Sequence, residues 1–437
     1  MSIFILQIMI HYIPNYLSNM WLRRFIIFSI ISFAYGQSIH NAYGLGLISF
    51  NHNAADAAMS SRGIIPTLNQ HISLSNPVTW NNLKFAYLTG NYTGNEFTSD
   101  DGENGLTGIS SAQFAVPIGE KYAWGFGVKP LFNQQYLIED DQAEFYVQDD
   151  TLITKRSVDG SGGISIFYTA LRFPVSAMEN IAIELDILFG SLRKDSKLSI
   201  DQSVYHFFQR HLYSGSLYKI HFSSARLNSG KYPLNIYATF GGVLNSLKLK
   251  HHSFQPFEDV NLNGYYDGED NPSPAIIPSI EIDIYDNIFK PTELGIGFDW
   301  TLNSGLHMML EMHNWQDTGK KNQTLYPLLS HYVNQSQQVS LSFAKFSPEI
   351  AFKLSQKMQY RGGIYLRTDK MEEKGFQVNE MGISLGFGIK FGVANNQIDF
   401  AYRHGIRSGD FIQNENIQLF TVGLQLGDLW FVKRRPK

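Results

Sequence analysis

Residues 259–270 carry the densest set of side chains that could do chemistry: Asp259-Val260-Asn261-Leu262-Asn263-Gly264-Tyr265-Tyr266-Asp267-Gly268-Glu269-Asp270. Oxygen side chains fall at loop positions 1, 3, 5, 9 and 12 and a glycine at the sharp-turn position 6, the spacing that wraps Ca²⁺ in an EF-type loop. The candidate ligands are Asp259, Asn261, Asn263, Asp267 and Asp270, with Tyr265 offering its backbone carbonyl. No flanking helices are evident, so an ordinary solvated Asn-Gly turn is the competing reading. Bound Ca²⁺ would steady a loop rather than catalyse a reaction.

A second constellation is His307, Glu311 and His313 on one face of one strand. Asp299 and Glu293 fall on the inward face of its hairpin partner. Imidazoles and carboxylates together suit a metal or a proton relay. Polar lining of a lumen uses the same residues, and it is the reading the pattern favours. Glu184, Asp186, Lys353, Lys390, Asp399 and Arg403 read in the same way, as wall charges facing water or chain packed inside. His-Glu-x-x-His and phosphate-binding glycine loops are missing from the sequence, and Gly382-Ile383-Ser384-Leu385-Gly386 matches the Gly-x-Ser-x-Gly spacing only inside a period-two strand pattern, so the expectation is a protein that is not an enzyme and requires no cofactor.

The elements that would position these residues are strands. In residues 381–392, Met381, Ile383, Leu385, Phe387, Ile389 and Phe391 alternate with Gly382, Ser384, Gly386, Gly388, Lys390 and Gly392. A period of two puts one set on each face of a strand. Tyr122 to Val128, Ile181 to Phe189, Leu294 to Leu302, Leu306 to Met312, Ile398 to Tyr402 and Phe420 to Leu426 repeat the pattern. The apolar faces run for about 10 residues, enough for a tilted strand to cross a bilayer and longer than sandwich strands usually are. The bare faces carry glycine, serine and full charges, as a lumen would. The expected fold is therefore all-β, a transmembrane antiparallel barrel of about 14 strands, whose closure removes the unpaired edges that lipid does not tolerate. By this register Leu385→Arg, on the lipid side, should impair assembly, and Ser384→Arg should not. Residues 100–105, 139–160 and 254–279 are rich in Asp, Asn and Gly and read as long loops, with tight turns at 303–305 and 393–396.

Composition agrees. Charged residues are 17% of the 437 and aromatics 14%, with 23 Tyr and 32 Phe, a balance that aromatic girdles at two membrane interfaces would explain. A net charge of -4 gives no support to nucleic-acid binding, and cysteine is absent. Trp21-Leu22-Arg23-Arg24, the apolar residues 25–33 and Ala34-Tyr35-Gly36 read as the three parts of a secretory signal peptide. Met20 is a more natural start than Met1, which makes residues 1–36 an over-extended start followed by that signal. No later apolar run is long enough for a membrane helix. Residues 37–80 are not strand-like, and residues 53–59 are helix-compatible.

Several stretches resemble the FadL-type outer-membrane transporters of hydrophobic compounds (OmpP, FadL and TodX-like), as a divergent member. They are Ser73-Leu74-Ser75-Asn76-Pro77-Val78, where that family tends to have an Asn-Pro-Ala-like motif, and Gly160-Ser161-Gly162-Gly163-Ile164-Ser165 leading into a strand. Leu188-Phe189-Gly190 at a strand end and the closing Leu429-Trp430-Phe431 complete the set. Val78 in place of alanine and the basic residues 433–437 after Phe431 depart from the pattern. The resemblance implies residues 37–80 folded as a plug or hatch inside a barrel of residues 81–437, with a long loop at about 253–280. It implies a monomer in the outer membrane of a diderm bacterium, whose partners are outer-membrane lipids and a hydrophobic small molecule such as a long-chain fatty acid, passing by plug-gated diffusion. A structural or secretion-associated barrel and a general porin are the rival readings.

Overall fold

The structure is a computed structural model that describes residues 39–428, apart from 51–52, 69–70, 100–101, 120, 140–142, 148–149, 177–178, 228–231, 273–279, 303–304, 322–331, 349–350, 373–374, 393–395 and 410–411. The signal-peptide reading, the closing 429–431 stretch and the basic tail lie outside the described residues, as does most of the two tight turns at 303–305 and 393–396.

Among the described residues the wall has 14 strands. They are β1 (Ala86–Ser99), β2 (Gly102–Ile118), β3 (Tyr122–Asn133), β4 (Asp150–Pro174), β5 (Glu179–Ile200), β6 (Ser203–Leu227) and β7 (Leu234–Phe254). The circuit continues with β8, in two pieces (Ile280–Phe289 and Pro291–Thr301), β9 (Leu306–Asp317), β10 (Val333–Lys345), β11 (Met358–Met371), β12 (Gln377–Phe391), β13 (Asn396–Gly409) and β14 (Ile412–Asp428). Neighbours pair antiparallel, and β14 closes on β1 from Asn416↔Thr98 to Asp428↔Ala86.

The two faces of this wall are inverted relative to a soluble protein. On β12, Met381, Ile383 and Leu385 are 60%, 53% and 62% exposed, whereas Ser384 between them is 2% exposed. Tyr122, Trp124, Phe126 and Val128 on β3 and Phe420, Leu424 and Leu426 on β14 belong to the same outer belt. Glu184, Asp186, Asp299, Glu311, Arg361, Glu380 and Asp399 are all buried inside. Apolar side chains outward and ionisable ones inward on a closed sheet are stable only where the outer solvent is hydrocarbon. The chain is an outer-membrane barrel.

Three expectations change. The stretches 100–105 and 139–160 are mostly not loops, because β2 begins at Gly102 and β4 at Asp150, with short strands Tyr136–Glu139 and Ala143–Val147 beside β4. Leu188-Phe189-Gly190 is not a strand end either, since β5 runs on to Ile200. Strands β4 to β7 have 25, 22, 25 and 21 residues, about twice what a crossing needs, so their outer halves stand in water. There no lipid demands an apolar face, and the period-two signal fades. Lys353 is the third correction: it is not a wall charge but the exposed residue preceding a single helical turn (Leu354–Lys357) between β10 and β11.

From Ala54 to Leu83 the chain lies against the inner faces of the wall. Helix α1 (Ala54–Ala57) is capped by the Asn53 side chain, and a 3₁₀ turn (Pro77–Asn82) is capped by Asn76, which also donates to the Ile64 carbonyl. Space for this segment comes from the bare rows read in the sequence. A Cβ on Gly125 would strike the Trp80 ring, and one on Gly297 would strike Ile65. The charges follow the same logic: Arg361 donates to the Thr67 carbonyl at 2.8 Å and to Asp399 at 2.7 Å.

Candidate functional site

The wall is not uniformly zipped. Strand β3 pairs with β2 only from Ala112↔Val128 to Ile118↔Tyr122. Above that level β3 continues to pair with β4, from Lys129↔Ile166 to Asn133↔Gly163, and leaves β2 behind. Three local features turn it away. Pro130 has no N–H to offer a ladder. Ser110 is bulged out of the β1–β2 register, and β3 has its own irregularity between Pro130 and Phe132. Gly162 sits at φ +132 so close to Ser191 that a Cβ would collide with its carbonyl. The upper end of β3 is then stitched to the inner chain, with Ile48↔Phe132 and Leu47↔Asn133.

The result is a side opening between β2 and β3. Short turns mark the periplasmic end of such barrels, so the opening belongs to the extracellular half. Seven zipped residues at about 3.3 Å each, tilted about 40°, climb roughly 18 Å of a belt about 25 Å tall, which sets the opening at the level of the outer leaflet. Behind it lies a cavity of about 400 Å³. Leu47, Ile48, Phe50, Phe97, Leu106 and Ile109 are among its apolar lining. Arg367, Arg403 and Arg407 close the far side.

Those arginines are held by acids. Glu380 on β12 accepts from Arg367 at 2.8 Å, Arg407 at 2.9 Å, Arg403 at 3.3 Å and the Tyr365 hydroxyl at 2.6 Å. Asp369 takes the other side of Arg367, and Glu415 takes Arg407 at 2.6 Å. Three guanidinium groups against three carboxylates leave that part of the wall neutral and rigid, a charged end to a cavity of mixed lining.

Below the cavity the lumen is filled. Two smaller cavities of about 90 and 60 Å³ continue downward, both lined by Arg62, Lys129, Lys219 and Glu293. They are too small and too charged for a hydrocarbon. The inner segment is fastened to several strands. Ala54 N donates to Asn91 on β1 at 3.0 Å, Ser61 and Arg62 N both donate to Glu311 on β9 at 2.6 Å, and Arg62 donates to Gln338 on β10 at 2.8 Å. Ser384 on β12 meets Ser60 at 2.8 Å and the Ala58 carbonyl at 3.0 Å. Within the segment, Asp56 accepts from Thr67 and Ser75, and burial pushes its carboxyl up to about 6.

The inward constellation of β8 and β9 is present but divided. His307 contacts Asp299 at 2.8 Å, Glu311 holds the inner segment, and His313 contacts Glu293 at 2.9 Å, itself bridged to Lys219 at 3.2 Å. The five do not share one centre. Glu184 and Asp186 line the lumen beside Lys129 and Lys219, and Lys390 is buried on the inner row. Sequence reading missed Arg361, Arg367, Arg407, Glu380, Asp56, Arg62 and His71. Glu380 and Arg407 continue the inward rows of the strands read at 381–392 and 398–402, so charges at those positions were the available signal; Arg361 and Arg367 lie on β11, which the period-two reading did not single out.

Loop 259–270 lies on the extracellular side, away from the cavity. Asp259 accepts from the backbone of Asn263 at 3.1 Å and of Gly264 at 2.8 Å, and Gly264 takes φ +78 at the sharp turn. Asp270 accepts from Val260 N and Asp267 N, and Asp267 faces the amides of Asn261 and Asn263. Hydrogen bonds from Glu269 N, Asn263 and Asn261 hold the Asp267 carboxyl below the usual carboxylate range. The donor set and the turn fit a hard cation.

A family model described as BamG matches residues 18–436. The chain belongs to the BamG family. No curated protein matches it. Among solved structures, this BamG family member is similar to a Pseudomonas aeruginosa FadL homologue at 12% identity, covering 87% of this chain and 99% of the other, with a TM-score of 0.54. It is also similar to the CymD monoaromatic hydrocarbon channel at 10% identity, covering 87% and 100%, with a TM-score of 0.50. A deletion mutant of the TodX monoaromatic hydrocarbon channel matches at 9% identity, covering 86% and 99%, with a TM-score of 0.51. These likenesses are of fold, and they give the BamG-family barrel the FadL-type architecture.

Proposed function

We propose that this barrel admits hydrophobic small molecules from the outer leaflet through the opening between β2 and β3. The observation that carries the reading is the cavity of about 400 Å³ behind the opening, where Leu47, Ile48, Phe50, Phe97, Leu106 and Ile109 supply apolar surface among polar side chains and three arginines. A compound held in that cavity leaves water without crossing the charged lumen, and the arginine end suits one with a polar head. Segment 54–83 acts as the plug, and onward passage requires it to shift, because the spaces below are small and ionic. The solved structures named above as hydrocarbon channels share the fold, which is consistent with this use. The barrel works as a monomer, and loop 259–270 takes Ca²⁺ as a stabiliser.

Gly108 lines the cavity, and a Cβ added there would meet nothing within 4 Å, so Gly108→Trp can start its side chain without a clash and place its ring in the cavity. Purified barrel should bind toluene or a long-chain fatty acid, and liposomes carrying it should take them up without taking up sugars. Gly108→Trp should abolish binding while keeping the thermal stability of the parent. No binding by the parent, or undiminished binding by the variant, refutes the reading.

One observation favours a structural or secretion-associated role. The inner segment is clamped by buried charge-assisted bonds on several strands, which resists gating. Envelope proteins co-purifying equally with the parent and with Gly108→Trp, together with no hydrocarbon uptake, would support that alternative. The filled lumen argues against a general porin.

A further inference from the structure

We propose that His71, Asp299 and His307 form a site for a first-row divalent cation, Zn²⁺ being the best match, which pins the inner segment to the wall at its periplasmic end. The carboxylate of Asp299 on β8 is fully buried, and its two oxygens are divided between two imidazoles. His71 Nδ1 lies 2.9 Å from Oδ2 and His307 Nδ1 lies 2.8 Å from Oδ1. The three ligand atoms all fall within 4.8 Å of one another. Two imidazole nitrogens and a carboxylate oxygen are a set that Zn²⁺ binds at about 2.0–2.2 Å, which spaces ligands about 3.3 Å apart in a tetrahedron. Insertion of the ion therefore asks these contacts to widen by roughly half an ångström.

Each ligand is held from behind. His307 meets the Phe346 ring edge to face at 5.0 Å and the His71 ring at 5.1 Å. The Asn235 amide lies 3.4 Å from Asp299 Oδ2, the kind of outer partner that orients a ligating carboxylate. His71 itself has φ +58, a left-handed backbone that costs a residue with a Cβ and persists where surrounding contacts enforce it. Access is asymmetric. Side-chain exposure is 38% for His71 but 0% for Asp299 and 9% for His307, so an ion and the water completing its shell enter from the His71 side. The site joins three pieces of chain, namely the turn closed by Leu68↔Ile72 and strands β8 and β9. It is remote in sequence and in barrel level from the side opening, and it does not depend on what the cavity binds.

The competing arrangement is a hydrogen-bonded triad with no metal. The full chain, folded in detergent and stripped of metal, would be titrated with Zn²⁺ by calorimetry and with Co²⁺ by visible absorption. We expect one equivalent of Zn²⁺ and the intense absorption of four-coordinate Co²⁺. His71→Gly, which suits the left-handed backbone, and His307→Ala should each weaken binding by about tenfold or more, and His404→Ala should leave it unchanged. Zn²⁺ should also slow proteolysis within segment 54–83 in the parent and not in His71→Gly. If His307→Ala fails to fold, His71→Gly and the Co²⁺ spectrum of the parent still decide the matter. No Zn²⁺ binding by the parent up to millimolar concentration, or binding unaltered by His71→Gly, overturns the site.

Discussion

Ser384 and Leu385 are adjacent residues with opposite surroundings. Leu385 meets lipid, and Leu385→Arg is expected to cost about 2–4 kcal/mol, read as a lowered unfolding midpoint in lipid vesicles. For Ser384 the structure adds a consequence that the register alone does not give. Its hydroxyl is buried between Ser60 and the Ala58 carbonyl, so an arginine there has no room unless the inner segment leaves. Ser384→Arg should still assemble a barrel but expose residues 54–83 to protease. The face of each residue was legible because side chains alternate along a strand. The occupant of the inner face was not, since Ser60 and Ser384 are separated by most of the barrel sequence. At loop 259–270, the Asp267 carboxyl is held in its ionised form by local hydrogen bonds, so the folded loop contributes stability above the ordinary carboxylate pKa and loses it as pH falls below. Calorimetry at neutral pH should show Ca²⁺ binding within the millimolar range, weakened on acidification; no heat at any pH would remove the ion from the picture.

Among the elements, the inner segment has its own pH dependence. Asp56 is raised by burial from 3.8 to about 6, so its folded form holds a proton that the unfolded form has released. Its contribution to stability is complete below about pH 4 and is lost as pH rises through about 6. The parent should therefore gain thermal stability between pH 7 and pH 5, and Asp56→Asn should flatten that part of the profile. Equal slopes would show that Asp56 is solvated. Trp80, the bulkiest of the fully buried side chains among the described residues, lies against Gly125, and Trp80→Ala should cost about 3–5 kcal/mol. Segment 54–83 was recognisable as non-strand, and the Asn76-Pro77 step as a turn, because capping is local. The wall strands it touches depend on closure of the whole ring. The side opening did leave marks, in Pro130 within an otherwise regular strand and in the Gly162-Gly163 pair opposite it. Their meaning emerges only when β3 is seen to stay with β4 and part from β2.

For the molecule as a whole, the barrel type was legible because a bilayer imposes one long-range rule on every crossing strand: apolar outward for about 10 residues. That rule lapses above the membrane, where β4 to β7 continue as strands through sequence that reads as loop. Purpose is less legible than architecture, since the same wall can serve passage, scaffolding or both. The parted strands also have a consequence for the surrounding membrane. Residues 105–109 of β2 present backbone N–H and C=O groups on one edge without a ladder partner among the described residues. Hydrocarbon cannot satisfy them. Water and lipid headgroups must dip toward that edge, so the bilayer is thinner on one flank of the barrel than on the other. The molecule then has a preferred side in the plane of the membrane, and neighbours that favour thin bilayers will collect there.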